Sequence, residues 1–223
     1  MSYNIQIRKI EHVTPNVLHI ITDKPEGYGY APGQATEMSI DQDGWRNEKR
    51  PFTFTGLPED DELEFTIKEY PDHDGVTEAL GQLEVGDTLQ IGEAWGAITY
   101  QGPGAFIAGG AGITPFVAIM KNLAKKGELK GNQLFFANKT EKDIIYKNNL
   151  ETWLGDEVYH ILSNEDHDAH AHGQLSKDFL EQNHLNVDQK VYLCGPPPMM
   201  DAVQADLFAM GLHESQLIME DLE

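Results

Sequence analysis

The chain has 223 residues, 40% of them hydrophobic, which suits one large domain or two of about 100 residues each and argues against disorder of the whole. Acidic residues number 37 against 16 basic ones, a net charge of −21. The balance is −12 up to residue 100 and −9 beyond, so neither half carries the basic footprint of a nucleic-acid binder, and both oppose attachment to anionic membranes. The single cysteine, Cys194, excludes an intrachain disulfide and any iron–sulfur or zinc site built from several cysteines. Met1 to Ile10 lacks the apolar core of a signal peptide, and the longest apolar stretch, Gly104 to Met120, is broken by glycines and Pro115. A cytoplasmic protein without membrane insertion is expected.

The first hundred residues read as strands. Tyr3, Ile5 and Ile7 alternate with polar residues, as do Leu63, Phe65 and Ile67, and then Leu89 and Ile91. Turn residues separate these runs, at Pro25-Glu26-Gly27, Ala31-Pro32-Gly33, Asp41 to Gly44, Leu57 to Asp61 and Val85-Gly86-Asp87. Short punctuated strands predict an antiparallel barrel or sandwich, interrupted by one helix over about Val76 to Leu83. Beyond residue 104 the pattern changes to alternating strand and helix. Phe106-Ile107-Ala108, Leu134-Phe135-Phe136, Val158 to Leu162 and Val191 to Leu193 are strand candidates. Ile113 to Leu123, Ile144 to Trp153, Leu175 to Gln182 and Pro198 to Met210 are helix candidates. That order predicts a parallel sheet with helices on both faces. The junction is expected near Gly102-Pro103-Gly104, giving domains 1–101 and 102–223.

Three segments carry chemistry. Ala108-Gly109-Gly110-Ala111-Gly112-Ile113-Thr114-Pro115 follows a strand and opens a helix. Glycines there let a backbone approach a pyrophosphate, the helix N-terminus favours negative charge, and Thr114 is expected to cap the helix with Pro115 in its first turn. Cys194-Gly195-Pro196-Pro197-Pro198-Met199 forces a rigid strand-to-helix turn and puts Cys194 at the end of a strand, where open parallel sheets bind ligands. No activating base stands near it in sequence, so it is not read as a covalent nucleophile. Arg50-Pro51-Phe52-Thr53 opens a strand with a guanidinium suited to phosphate and a hydroxyl donor at Thr53. Gly75-Val76-Thr77 starts a helix, a second phosphate seat.

Laid in order, these segments resemble the ferredoxin–NADP reductase family over nearly the whole chain. Arg50-Pro51-Phe52-Thr53 is similar to the family's Arg-x-Tyr-Ser/Thr flavin motif, and Ile67-Lys68-Glu69 sits where the family runs a strand beside the flavin diphosphate. Gly75-Val76-Thr77 resembles its second phosphate turn. Gly110, Gly112, Ile113, Thr114 and Pro115, with Cys194, Gly195, Pro196 and Met199, resemble its two nicotinamide-dinucleotide motifs. The resemblance implies a six-stranded antiparallel barrel holding FAD, with FMN the lesser alternative, followed by a Rossmann-like domain for NADH or NADPH. It implies that Arg50 pairs with the flavin diphosphate, Phe52 packs on the ring, Thr53 lies near the hydride-accepting atom, and Cys194 and Glu220 lie close to the nicotinamide. An electron carrier such as flavodoxin or ferredoxin is the implied partner.

The chain departs from the family at Phe52 for tyrosine, Asp74 for glycine, and Leu222 for a terminal aromatic. A 2′-phosphate usually meets arginine, but none follows Arg50, and Ser163 is followed by Asn164 and Glu165, with Lys139 and Lys142 as the nearby cations. NADH is therefore the favoured cosubstrate. Asp166-His167-Asp168-Ala169-His170-Ala171-His172 is read as a solvated loop with no metal. Alternatives to the reductase are a free-flavin reductase, a non-catalytic nucleotide-binding module and an electron-transfer subunit of a larger complex.

Overall fold

The structure is a computed structural model and describes residues 2–69 and 75–220. The chain forms two compact units, Met1–Gly96 and Ala97–Glu223.

The first unit contains β1 (Tyr3–Thr14), β2 (Val17–Asp23), β3 (Ala35–Ile40), β4 (Arg50–Thr53), β5 (Glu62–Lys68), α1 (Val76–Leu80) and β6 (Thr88–Trp95). The strands form one six-stranded sheet in the order β4-β3-β6-β1-β2-β5, with every pair antiparallel. The two outer strands meet beyond the end of β4. Phe54 bridges Phe65, the Thr55 amide donates to the Glu64 carbonyl at 2.8 Å, and the Thr55 and Thr66 hydroxyls lie 3.1 Å apart. This contact closes the sheet into a barrel and leaves few open edges. Alternation sends Ile5, Ile7, Leu18, Ile20, Leu63 and Phe65 inward, each at most 1% exposed. Burying each such side chain contributes roughly 1.5–3 kcal/mol. Phe54, fully buried, stacks on Tyr30 with ring centroids 4.1 Å apart and packs on Phe65 at 5.2 Å. α1 is shorter than the pattern of apolar residues predicts. Its Val76 and Leu80 pack into the barrel core, and it ends at Gly81, where the Glu69 carboxylate occupies the place a Cβ would take.

The second unit contains β7 (Gly104–Gly109), α2 (Thr114–Lys126), β8 (Gln133–Asn138), α3 (Lys147–Leu154), β9 (Val158–Leu162), β10 (Ala171–His172), α4 (Lys177–Gln182), β11 (Lys190–Cys194), α5 (Pro197–Ala209) and β12 (Leu217–Ile218). All pairs in its sheet are parallel, in the order β10-β9-β8-β7-β11-β12. The chain starts in the middle, runs outward on one side through β8, β9 and β10, then returns to the other side of β7 with β11. The strand order therefore reverses between β7 and β11, and sheets of this kind bind ligands at the strand C-termini beside such a reversal. Every residue of β7 is buried, as a central parallel strand requires. Tyr192 of β11 stacks on Phe106 with centroids 4.3 Å apart, and its hydroxyl donates to the Gly102 carbonyl and accepts from the Gln101 amide. α3 begins at Lys147 rather than Ile144: Ile144 and Ile145 are buried ahead of it, and Tyr146 takes a left-handed φ of 59°, which breaks the helical path.

Candidate functional site

In the first unit, β4 is an outer strand, which tolerates Pro51 because a proline amide has nothing to donate to a ladder. It pairs with β3, placing Arg50 opposite Met38, Phe52 opposite Thr36 and Thr53 opposite Ala35. The Arg50 side chain is 52% exposed. One of its nitrogens donates to the neighbouring Lys49 carbonyl at 2.7 Å, and another lies 3.4 Å from the Glu48 carboxylate. These are loose local contacts, so the guanidinium can turn to a phosphate. Phe52 and Thr53 are half-buried, and Phe52 rests against the barrel core.

The other expected flavin contacts are less direct. Ile67 is 2% exposed and faces the barrel interior, so only its backbone can meet a ligand. Lys68 is half-buried. Glu69 is engaged by His12, whose Nε2 lies 2.6 Å from its carboxylate. Gly75 is extended and opens α1, Val76 turns inward at 3% exposed, and Thr77 is half-buried. Asp74 and Leu222 lie outside the described residues. The donor set in this unit fits a dinucleotide flavin: an arginine free to reorient, an outer strand, and a helix start.

In the second unit, the two dinucleotide motifs pack onto one another. β7 and β11 are neighbours, with Ala108 opposite Cys194, so the glycine loop and the proline turn leave the sheet side by side. A Cβ on Gly112 would stand 2.2 Å from the Cys194 carbonyl oxygen. One on Gly109 would stand 2.4 Å from the Met199 sulfur, and one on Gly195 2.6 Å from the Met199 methyl. Gly109, Gly112 and Gly195 are thus dictated by motif-to-motif contact as much as by a ligand. Gly110 has φ 53° and opens a 3-10 turn, Gly110–Ile113, ahead of α2. Ile113 is fully buried and Thr114 is 8% exposed. Thr114 does not cap α2: it is the first helical residue, and its hydroxyl donates to the Ala111 carbonyl at 3.0 Å. Pro115 lies in the first turn as expected. Pro196 stands at the head of α5, with its ring against Gly109.

Cys194 ends β11 and is part-buried. Burial, with the Glu220 carboxylate adding to it, pushes its thiol up to about 12, so the group stays protonated at neutral pH. A neutral thiol at the sheet's ligand end packs against a ring without repelling it and does not act as a nucleophile. Glu220 follows β12, and its Oε1 accepts from the amides of Ala97 at 2.6 Å and Ile98 at 3.0 Å. It therefore has a structural duty that its place in the sequence does not disclose.

Asn138 was not singled out by any motif. It ends β8, one residue after Ala137, which pairs with Gly109. It is 7% exposed, and neither its Oδ1 nor its Nδ2 has a hydrogen-bond partner among the described residues. A buried amide left unpaired costs about 1–3 kcal/mol, so a polar ligand at the strand ends is the natural partner. This orphan fits a dinucleotide ribose or phosphate oxygen. After β9, the Ser163 and Asn164 amides donate to the carbonyls of Asn138 and Lys139, and the Glu165 carboxylate accepts from the Glu141 amide at 2.8 Å.

Residues 2–90 match the family described as "FAD-binding domain", and residues 106–205 match "Oxidoreductase NAD-binding domain". Among curated relatives, the reductase component of propane 2-monooxygenase from Rhodococcus jostii is 26% identical over 95% of this chain and 61% of its own length. NADH-cytochrome b5 reductase 1 of Aspergillus terreus is 29% identical over 74% of this chain and 62% of its own. The chain thus spans about three-fifths of the curated relatives it matches. Among solved structures, the flavohem-like FAD/NAD binding domain of nitric oxide dioxygenase from Vibrio cholerae aligns with a TM-score of 0.86 at 21% identity, covering 97% of each chain. A ferredoxin NADP+ reductase from Neisseria gonorrhoeae, with bound FAD and NADP, aligns at 0.85 and 19% identity over 98% of each. No helix among the described residues is long and apolar enough to cross a membrane. The chain thus carries an FAD-binding domain followed by an NAD-binding domain, shares the fold of these solved flavin and nicotinamide-nucleotide proteins and is similar in sequence to reductase components of oxygenases.

Proposed function

We propose that the chain is an NAD(P)H-dependent flavoprotein oxidoreductase that moves electrons from a nicotinamide nucleotide through FAD to a protein acceptor in the cytoplasm. The observation that carries this reading is the packing of Gly109 to Pro115 against Cys194 to Met199 at the strand reversal, in a unit that follows a flavin-type barrel. Bound flavin supplies the chemistry of taking two electrons as hydride and releasing them singly. The chain's own task is positioning. Arg50 holds the flavin diphosphate, assisted by Lys68 and the Gly75-Val76-Thr77 turn, while Phe52 packs on the ring and Thr53 donates to it. Gly110, Gly112, Thr114 and Pro115 set the loop that takes the pyrophosphate. Cys194 lies beside the nicotinamide with its proton retained, and Glu220 keeps a negative charge near it.

NADH is the favoured cosubstrate. The segment after β9 offers exposed Asn164 where a 2′-phosphate needs a fixed cation, and Glu165 adds a negative charge beside it. The acceptor is an electron carrier such as a ferredoxin or flavodoxin, or an oxygenase component of the kind named for several relatives. Steady-state turnover with ferricyanide after FAD loading tests the reading. Higher kcat/KM with NADH is expected. A preference for NADPH of about tenfold overturns the cosubstrate assignment, and no turnover with either nucleotide overturns the enzyme.

A further inference from the structure

The histidine-rich segment from Asp166 to His172 is largely exposed, as a solvated loop is, but it has local order. It folds back on itself through a bridge between His167 and His170, whose rings stack with centroids 4.6 Å apart. Glu141 reaches it from the 3-10 turn after β8, Glu141–Asp143. Its Oε2 lies 3.0 Å from His167 Nε2, and its Oε1 lies 3.7 Å from His170 Nε2. One donor atom from each of the three side chains falls within 4.8 Å of the others. The His170 side chain is only 6% exposed, yet its Nε2 has no hydrogen-bond partner among the described residues.

Donors around a tetrahedral zinc ion stand about 3.3 Å apart, given metal–ligand bonds near 2 Å, so the observed separations need little change to hold a metal. Two imidazoles with one carboxylate suit zinc, cobalt, nickel or copper, whereas magnesium and calcium take all-oxygen sets. We propose that Glu141, His167 and His170 form a binding site for a divalent transition metal of the zinc type, with a fourth position open to water.

Two neighbours oppose tight binding. Lys147 Nζ lies 3.6 Å from Glu141 Oε1, although its nearer partner is Glu151 at 3.0 Å. The Ala169 amide donates to His167 Nδ1 at 3.2 Å. Metal on Nε2 puts the ring proton on Nδ1, so this bond is given up. The site is therefore one of modest affinity. The metal would clip the turn after β8 to the loop after β9, and so steady the Ser163-Asn164-Glu165 segment between them. The proposal is independent of the reductase assignment.

The test is calorimetric titration of the untagged, chelator-treated full chain with Zn²⁺, and with Co²⁺ for its visible spectrum. One equivalent is expected to bind, with the intense Co²⁺ bands of a four-coordinate site. Glu141→Gln and His167→Ala are each expected to weaken binding by at least about tenfold. His172→Ala, in the same loop but outside the set, is expected to leave it unchanged. Glu141→Gln is isosteric and His167 is 27% exposed, so both variants keep the fold. Absence of saturable binding, binding indifferent to both substitutions, or an equal loss in His172→Ala overturns the proposal.

Discussion

Gly112 and Cys194 meet backbone to backbone: a side chain begun at Gly112 would start 2.2 Å from the Cys194 carbonyl oxygen. The two motifs therefore form one object, and the glycine loop is shaped by the turn that carries the thiol. Gly112→Ala must push the loop off the turn. It is expected to lower stability by a few kcal/mol and to raise KM for the nicotinamide nucleotide, without changing FAD content. Thermal denaturation and steady-state kinetics check this. Unchanged stability and KM would show that the contact is slack.

Glu220 acts on Cys194 through its charge and on Ala97 and Ile98 through its oxygen, and two substitutions separate these effects. Glu220→Gln keeps an acceptor for both amides but removes the charge, so the Cys194 thiol pKa falls while stability holds. Glu220→Ala loses both and destabilises. In the wild type the thiol sits at about 12, against about 9 in an unfolded chain. A raised pKa of this kind contributes stability that is complete below pH 9 and is lost as pH rises through 12. Alkylation rates followed against pH, with denaturant unfolding at each pH, measure both. Fast alkylation of the folded protein at neutral pH contradicts the assignment.

Asn138 offers a case where stability and function part. Asn138→Leu removes two unpaired buried polar atoms at similar volume, so stability is expected to hold or rise. If the amide serves the nucleotide, KM for NADH rises about tenfold, equivalent to about 1.4 kcal/mol. FAD content stays the same. A variant less stable than wild type with unaltered KM would mean that the amide serves the fold.

Arg50→Ala removes a side chain with only loose local contacts, so the FAD-free protein keeps its melting temperature. FAD affinity is expected to fall by roughly 1.5–3 kcal/mol, the worth of hydrogen bonds to a charged group, and Arg50→Lys to recover part of it. Equilibrium dialysis with FAD distinguishes this from a surface arginine without a ligand.

Much of the fold was legible because strand and helix periods differ. The alternation of Ile5 with Ile7 and of Leu63 with Phe65 marks β1 and β5, and the apolar spacing from Ile113 to Leu123 marks α2. β2 was hidden because Val17, Leu18, Ile20 and Ile21 crowd together without strict alternation, and the two-residue strands β10 and β12 carry no pattern at all. α3 starts late because Ile144 and Ile145 are apolar for burial ahead of the helix. In the site, the glycine loop and proline turn declared themselves through residues with narrow backbone choices. Thr114 looked like a cap because its hydroxyl type suits one, but the 3-10 turn ahead of it had already begun the helical path. Asn138 and Glu141 were invisible because their meaning comes from neighbours remote in sequence.

Anaerobic titration of the FAD-loaded chain with NADH tests the central claim most directly, since it isolates the step from nucleotide to flavin from any acceptor. The account predicts stoichiometric FAD that dissociates only on denaturation, and bleaching of its visible absorption band by one equivalent of NADH. A chain that holds no FAD, or whose bound flavin keeps its spectrum in excess NADH and NADPH alike, contradicts it.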